Sequence, residues 1–375
     1  MYVNRLRAKW GTNVVVVKRC RPDYDLVKQH AMAAINHTVK TRMHRRTFLA
    51  CAGGSAWAAG ALGTVASLGA KSREGHPEPS SDRTKDLLEG RQVRLERLRP
   101  GEIEQAMQAC PVLYQPLGTV EWHGLHNIVG LDAVKAHHLC VRAARRGGGL
   151  VAPALFGGVG GLDQPHTFVM EPENDVHSVL VRAWVEKLGR EAVRQGFRAV
   201  ILLTGHYGAA QQMVIRDVAV RLTRSLGVPV LGTPEYFLAL DVGYLGDHAA
   251  WGETSLMLYL DPESVDLSRL GQPPHKGVGG RDPREATRAD GEKLAETIIA
   301  RLARLASQMP RWDAATRQRF VDAEAALVNR QLALAASEKG VWAGWRNIGK
   351  GAFSDYGRLL ADQKFEEIVE LTRRL

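Results

Sequence analysis

The sequence predicts an α/β fold in which helices flank a mainly parallel sheet. Short apolar runs alternate with amphipathic segments of helix length, which is typical of parallel strands joined by right-handed crossovers. Polar side chains also follow directly after two of the apolar runs, where an open α/β sheet places its active site. With 375 residues and 45% hydrophobic content, the chain is large enough for one such core with appendages.

The elements of this core are predicted in a regular order. Strands are expected at 111–118, 150–156, 199–203 and 228–231, and helices near 132–146, 175–195, 209–226 and 285–308. A short helix, Leu256–Leu260, is expected to be started or capped by Ser255. Beyond Pro310 the pattern lacks strand-like alternation and predicts a helical C-terminal extension.

The composition divides the chain into five segments. The predicted core occupies residues 96–308 and the helical extension occupies 309–375, while the polar, Pro- and Ser-containing stretch 71–95 is typical of a linker. Residues 43–70 have the pattern of an export signal. Residues 1–42 precede Met43, a natural start, so they are an upstream extension for which a mis-assigned start is one explanation.

The formal charge of +10 is concentrated in the leader. Residues 1–46 carry eleven Lys and Arg against two Asp, whereas the other 329 residues hold 39 basic and 38 acidic side chains. The folded body is therefore close to neutral, and no nucleic-acid footprint is visible in it.

The export prediction depends on paired arginines ahead of an uncharged stretch. Arg45-Arg46-Thr-Phe-Leu is followed by Ala- and Gly-rich sequence without a charge from Thr47 to Ala70. This pattern is typical of a twin-arginine signal and predicts a periplasmic protein with no stable membrane association after processing. An uncleaved transmembrane helix is the alternative, and the protein would be cytoplasmic if the leader is a translation-start artefact.

The cysteines do not predict a disulfide framework, because none of the four has CxxC spacing. Cys110 and Cys140 of the core are expected to be buried free thiols.

Candidate metal ligands cluster after two of the predicted strands. Glu121, His123 and Asp132 lie close together among glycines, after the strand at 111–118. His206 follows the strand at 199–203 in the same way. Carboxylates and imidazoles are the donors that Zn²⁺ or Mn²⁺ prefers, with Fe as a further alternative. A satisfied polar cluster in a cleft is the alternative for these four residues.

With these motifs in order, the chain resembles the creatininase (creatinine amidohydrolase) family. The first motif of that family stands here as Gly118-Thr-Val-Glu-Trp-His-Gly-Leu-His126, with Asp132 at the expected spacing. The second stands as Thr204-Gly-His206 and the third as His248-Ala-Ala-Trp-Gly-Glu-Thr-Ser255. The resemblance covers roughly residues 96–308, and three spaced motifs are more specific than one.

The resemblance implies a two-metal hydrolase, usually hexameric, with an α/β fold. It assigns direct metal ligation to Glu121, His123, Asp132 and His206, with Asp132 bridging two ions. Creatininase itself has a Glu ligand where this chain has Gly208, so Glu253 is the candidate for the last ligand of the second ion, and also a candidate catalytic residue. His248 matches the family position associated with substrate contact or proton transfer.

Four further residues are candidates for substrate contact: Tyr207, Trp251, Trp122 and His166. Core packing is an equal alternative for the two tryptophans, and a surface position for His166. His126 is either a partner of a ligand or a capping or exposed residue, and His137 and His138 are expected to be ordinary helix residues. The Gly157–Gly161 run lacks the G-x-G-x-x-G register and indicates a flexible active-site loop rather than a nucleotide site.

Together these observations predict a metal-dependent amidohydrolase that cleaves an amide-type C–N bond in a cyclic amide or a related small molecule by a metal-activated water. The alternatives are a formamide deformylase or a peptide-trimming enzyme of the same family, or an exported binding protein that lost the chemistry. Thr204, Gly208 and Ala209 depart from the second motif of the family and motivate the binding-protein alternative.

Overall fold

The computed structural model describes residues 6–7, 13–14, 90–173, 178–337, 342, 345, 348, 351 and 353–375. The chain divides into two compact units, Met1–Gly75 and His76–Leu375. In the first unit Leu6–Arg7 pairs with Asn13–Val14 in antiparallel fashion. Three predictions lie outside the described residues. They are the remainder of the prediction for 1–42, the signal at 43–70 and most of the linker at 71–95.

The second unit is built on a four-stranded parallel sheet with the order β2-β1-β3-β4. The strands are β1 (Val112–Leu117), β2 (Leu150–Val151), β3 (Ala199–Thr204) and β4 (Val230–Pro234). All four are buried along their whole length, which is why their sequences are near-continuous apolar runs. The predicted parallel α/β sheet is therefore confirmed.

Helices cover both faces of this sheet and continue to the C-terminus. They are α1 (Pro100–Ala109), α2 (Leu131–Gly147), α3 (Leu180–Arg194), α4 (Ala209–Leu226), α5 (Trp251–Leu260), α6 (Arg288–Gln308), α7 (Ala314–Ala335), α8 (Tyr356–Ala361) and α9 (Phe365–Thr372). Among the described helices, none is both long and apolar enough to cross a membrane.

Two glycines let the start of α2 approach the ends of β1 and β3. A Cβ at Gly118 would lie 2.2 Å from the backbone nitrogen of Ala133, and one at Gly205 would lie 2.1 Å from the carbonyl oxygen of Asp132. No larger residue fits at either position without moving the backbone. The glycines of the two sequence motifs thus bring Asp132 against both strand ends.

The predicted helical C-terminal extension is confirmed, and it packs into the same core as the sheet. Arg216 of α4 is fully buried and pairs with Glu324 of α7 at 3.1 Å. Tyr356 of α8 donates its hydroxyl hydrogen to the same carboxylate at 2.7 Å. The N-terminus of α4 lies at the candidate site. The extension therefore packs against a helix that helps to form that site.

Two local predictions are wrong. The strand at Leu150 ends at Val151 instead of 156, because Pro153 has no N–H to donate to a ladder. Helix α5 begins at Trp251, so Ser255 lies inside it and does not start it. The Asp247 carboxylate caps the helix by accepting hydrogen bonds from the N–H groups of residues 252 and 253 at 2.6 and 3.0 Å. Cys110 and Cys140 are both free thiols, as expected, but only Cys140 is buried, and Cys110 is half-buried.

Candidate metal centre

The loop after β1 presents Glu121 and His123 to the sheet edge. The Glu121 backbone nitrogen donates to Val129 at 2.8 Å, and its side-chain Oε1 accepts from the Leu162 N–H at 2.6 Å. His123 Nδ1 lies 3.0 Å from the carbonyl oxygen of Glu121, an oxygen that can only accept a hydrogen bond. The hydrogen is therefore on Nδ1, and in the neutral imidazole the lone pair of His123 is on Nε2.

Glu121, Asp132 and His206 form the first donor group. His206 Nδ1 lies 3.0 Å from Glu121 Oε2 and 3.2 Å from Asp132 Oδ2. Its Nε2 donates to the carbonyl oxygen of Val159 at 3.0 Å, which directs the Nδ1 lone pair at the two carboxylates. All three side chains are buried.

His123, Asp132 and Glu253 form the second donor group. His123 Nε2 lies 3.1 Å from Asp132 Oδ1 and 3.5 Å from Glu253 Oε2. Asp132 therefore directs one carboxylate oxygen to the histidine of each donor group. Glu253 reaches the group from the first turn of α5, where its Oε2 also accepts from the Ala249 N–H at 2.7 Å.

The donor atoms of each group fit a cation. Within each group one ligand atom per residue lies within 4.8 Å of the others. Glu121 Oε2, His123 Nε2 and Asp132 Oδ2 are buried and have no hydrogen-bond partner. Facing lone pairs repel one another unless a positive charge lies between them, and imidazole with carboxylate suits Zn²⁺, Mn²⁺ or Fe²⁺.

Electrostatics within the centre favour positive charge. Burial alone lowers the pKa of His123 and of His206, but the adjoining carboxylates outweigh it and raise the pKa of both well above the usual value. Burial raises and the two histidines lower the pKa of Asp132, which ends far below its ordinary range. The carboxylates are thus ionised and attract a cation to the donor atoms.

A buried ammonium supports the second donor group. Lys135 is fully buried, and its Nζ lies 2.5 Å from Glu253 Oε1 and 2.8 Å from Glu235 Oε1. It also donates to the Tyr207 hydroxyl oxygen at 2.8 Å. Burial alone would raise the pKa of Glu253, but Lys135 and His123 lower it to about 2. Lys135 therefore holds Glu253 ionised and in place.

His248 stands at the entrance of the centre. Its Nε2 lies 2.8 Å from the carbonyl oxygen of Trp122 and must donate to it, while its ring lies 4.3 Å from that of His123. The Nδ1 atom is the ring nitrogen that does not face Trp122, and His248 also forms a third possible ligand group with Glu121 and His123. His248 is half-buried and lines a cavity of about 700 Å³ that also exposes Glu121 and His206.

The predicted substrate residues are distributed unevenly around this cavity. Tyr207 lines it, whereas Trp122 borders a separate depression of about 270 Å³. The Trp251 indole N–H donates to Asp290 at 3.2 Å, and Arg281 lies over its ring. His166 is exposed, with a backbone φ of 65°. Of these four candidates, Tyr207 is the one that the structure brings to the cavity.

The remaining histidines have structural positions. His126 is buried with Nε2 3.1 Å from Thr254 Oγ1 of α5, so the exposed alternative for His126 is excluded. His137 and His138 lie within α2, as expected.

The loop at Gly157–Gly161 reaches the centre, as predicted, and Gly161 lines the cavity.

Several residues of the site were missed by the sequence analysis. Glu235 directly follows β4, so the strand-end rule would have found it if the strand had been extended to 234. Lys135 lies one helical turn after Asp132, a spacing that places both on one face. Glu173 and Asp247 also line the cavity, and burial together with Glu253 raises the pKa of Asp247 to about 7. No local signal marks Glu173 or Asp247.

The chain is similar to several known proteins. The family model "Creatininase: Creatinine amidohydrolase" matches residues 96–306. Creatinine amidohydrolase from Pseudomonas putida is 32% identical, over 42% of this chain and 68% of that protein. A creatininase crystal structure is 28% identical with a TM-score of 0.49, covering 60% of this chain and 100% of that one. A structure from Bacteroides fragilis NCTC 9343, provisionally named a creatinine amidohydrolase, is 22% identical with a TM-score of 0.50, over 59% and 98%.

The family match spans more than half of the chain and includes every residue of the two donor groups. The chain therefore belongs to the creatininase family of metal-dependent amidohydrolases, which act on carbon–nitrogen bonds other than peptide bonds.

Proposed function

We propose that this protein hydrolyses the C–N bond of a small amide, with cyclic amides as the first substrate class, using two divalent cations. The observation that carries the proposal is the pair of donor groups that share Asp132. Glu121 and His206 would hold one cation, and His123 and Glu253 the other, with one Asp132 oxygen directed to each. Zn²⁺ and Mn²⁺ are the ions that suit these donors best, and Fe²⁺ follows.

The cations supply Lewis acidity that polarises the amide carbonyl and lowers the pKa of water toward neutrality. The chain's own residues orient the substrate and transfer the proton to its leaving nitrogen. His248, fixed through Nε2 by the Trp122 carbonyl, accepts a proton at Nδ1 and returns it to the leaving nitrogen. Both oxygens of Glu253 are already hydrogen-bonded, which favours a ligand role for it over proton transfer.

Metal analysis combined with substitution tests the proposal. The purified full chain should contain about two equivalents of Zn or Mn per chain. Asp132→Ala should lose both ions, whereas Glu253→Ala should keep one. Asp322→Ala is the matched control, because its carboxylate lies on α7 and is bonded only to Gln318 within the described residues. Absence of bound metal, with amidase activity intact in Asp132→Ala, would refute the proposal.

The substrate is decided by a panel of cyclic amides, formamides and short peptides offered to the metal-loaded protein. Preferential turnover of formamides or peptides would favour the deformylase or the peptide-trimming alternative. Binding without turnover of any compound, at full metal occupancy, would favour a binding protein that lost the chemistry. Retention of all five donor residues together with His248 argues against that loss.

We also propose that the protein assembles with itself. Phe168, Val179 and Leu180 are large apolar side chains with exposed fractions of 68, 82 and 47%, and their burial in a subunit interface would stabilise an oligomer. A hexamer is the expected form. Light scattering of the purified chain would contradict the proposal if it gave the mass of a single chain.

Export is a further proposal, supported by Arg45-Arg46 ahead of an uncharged segment. Twin-arginine transport carries folded proteins, which suits an enzyme that binds its metals before leaving the cytoplasm. Replacement of both arginines by lysine should trap the precursor in the cytoplasm on fractionation. If the unaltered chain also remains there uncleaved, the leader is not an export signal.

A further inference from the structure

The lining of the cavity includes residues that lie beyond the family match. Trp342 and Trp345 follow α7 in the C-terminal extension, whereas the match ends at residue 306. Their rings are 5.7 Å apart and inclined at 67°. Trp345 is 8% exposed and Trp342 is 45% exposed. An indole that remains exposed within a cavity has an apolar face available for a ligand.

The extension is fixed to the candidate metal centre by hydrogen bonds. The Trp345 indole N–H donates to Gln212 Oε1 at 2.8 Å, and the Tyr236 hydroxyl donates to the same oxygen at 3.0 Å. The amide nitrogen of Gln212 donates to the carbonyl oxygen of Tyr207 at 2.6 Å. Tyr207 directly follows His206, a donor of the first group. Trp345 thus has a defined position relative to the centre, and Trp342 stands beside it.

The size of the cavity argues for a substrate larger than a bare amide ring. Its volume of about 700 Å³ lies in the range of about 300–1,000 Å³ that pockets for drug-sized ligands occupy. Its lining includes the polar side chains of Glu121, His206 and His248 and also the two indoles. A ligand with a polar, scissile end and a flat apolar end would be complementary to this lining.

We propose that Trp342 and Trp345 form a subsite for an aryl substituent on the amide substrate. The indole faces bind the ring by stacking and exclude water from it, while the amide end lies at the metal centre. The substrate class follows from the proposed hydrolysis of a C–N bond, on which this subsite rests. The C-terminal extension is then a specificity element of the enzyme as well as part of its core.

The test uses pairs of amides that differ only in phenyl against methyl: 5-phenylhydantoin with 5-methylhydantoin, and acetanilide with N-methylacetamide. Binding to the full chain is measured by equilibrium dialysis, and turnover is measured on the metal-loaded protein. The unaltered chain should bind the phenyl member of at least one pair more tightly. In Trp342→Ala that preference should fall about tenfold, because loss of aromatic stacking and burial is worth about one decade of affinity.

Two further variants keep the result interpretable. Trp184→Ala removes an indole on α3, outside the residues that line this cavity, and should preserve the phenyl preference. Trp345→Phe keeps an aromatic ring but removes the N–H that Gln212 accepts. It should lower kcat for both members of a pair while retaining the preference in KM.

The outcomes separate the subsite from the proposed chemistry. A phenyl preference in binding that Trp342→Ala abolishes supports the subsite even if neither compound is hydrolysed, a result that would count against the proposed function alone. Equal binding of both members of every pair, binding of neither, or an unchanged preference in Trp342→Ala would overturn the subsite.

Discussion

Replacement of Lys135 by methionine should strongly destabilise the protein. The ammonium of Lys135 is the cation that lies between Glu235 and Glu253, and the exposed fractions of all three side chains are 1% or less. Methionine has a similar length and fills the same space, so the change removes charge without opening a large cavity. Glu235 and Glu253 would then remain buried without this cation, with the Tyr207 hydroxyl still donating to Glu235 and the Ala249 N–H still donating to Glu253.

The expected loss follows from the burial of the pair. Removal of one partner of a buried ion pair costs about 3–5 kcal/mol, because the other charge stays buried without compensation. For a fold with roughly 5–15 kcal/mol of total stability this is a large share. Arg146→Met is the matched control, since the Arg146–Glu296 pair is about half exposed at 3.2 Å and should contribute less than about 1 kcal/mol.

Urea unfolding of the metal-free full chain measures both changes. Adding Glu235→Gln to the Lys135→Met variant should restore part of the stability, because a single buried carboxylate then remains, and the double-mutant cycle gives the coupling energy. Metal loading should also recover stability through binding to the native state. A free energy of unfolding for Lys135→Met within about 1 kcal/mol of the unaltered chain would refute the assignment of Lys135 as the charge that holds this cluster together.

Three further changes have defined outcomes. Gly208→Ala places a Cβ 2.6 Å from the carbonyl oxygen of Val159, the oxygen that accepts from His206 of the first donor group. The change should therefore weaken metal retention about 10- to 100-fold in competition with a chelator. Unchanged retention would contradict this. Glu324→Ala leaves Arg216 buried and unpaired and should cost about 3–5 kcal/mol in urea unfolding, a prediction that fails if the midpoint does not move. Asp313→Ala removes the N-cap of α7 and should cost about 1 kcal/mol, with Asp313→Asn close to neutral as its control.

The parts of the site that follow strands could be predicted from the sequence. Glu121 and His206 come directly after apolar runs, and the carboxyl ends of parallel strands meet at one edge, so their proximity followed from local pattern. His248 and Glu253 come from the segment before and within α5, and only the motif resemblance connected them with the strand ends. They are too far in sequence from the ends of β1 and β3 for a local hydrophobic period to connect them.

The rest depends on tertiary contacts that leave no local mark. Lys135 and Glu235 resemble surface charges in the sequence, and the ion pair is visible only when α2 and the end of β4 are packed together. Trp345 meets Gln212 across 133 residues, so no pattern near either residue indicates the contact. The boundary of α5 was missed because its cap is the side chain of Asp247, four residues before the helix.

The buried Arg216–Glu324 pair also bears on the order in which the protein is made. The two residues are 108 positions apart, so at roughly 5–20 residues per second the ribosome needs about 5–20 s to supply the partner of an arginine it has already released. During that interval every donor of the metal centre has been synthesised, yet α4 cannot be buried without leaving a guanidinium unpaired. A chain that ended shortly before residue 324 would therefore contain every donor of the centre but would lack the carboxylate that pairs with the buried Arg216.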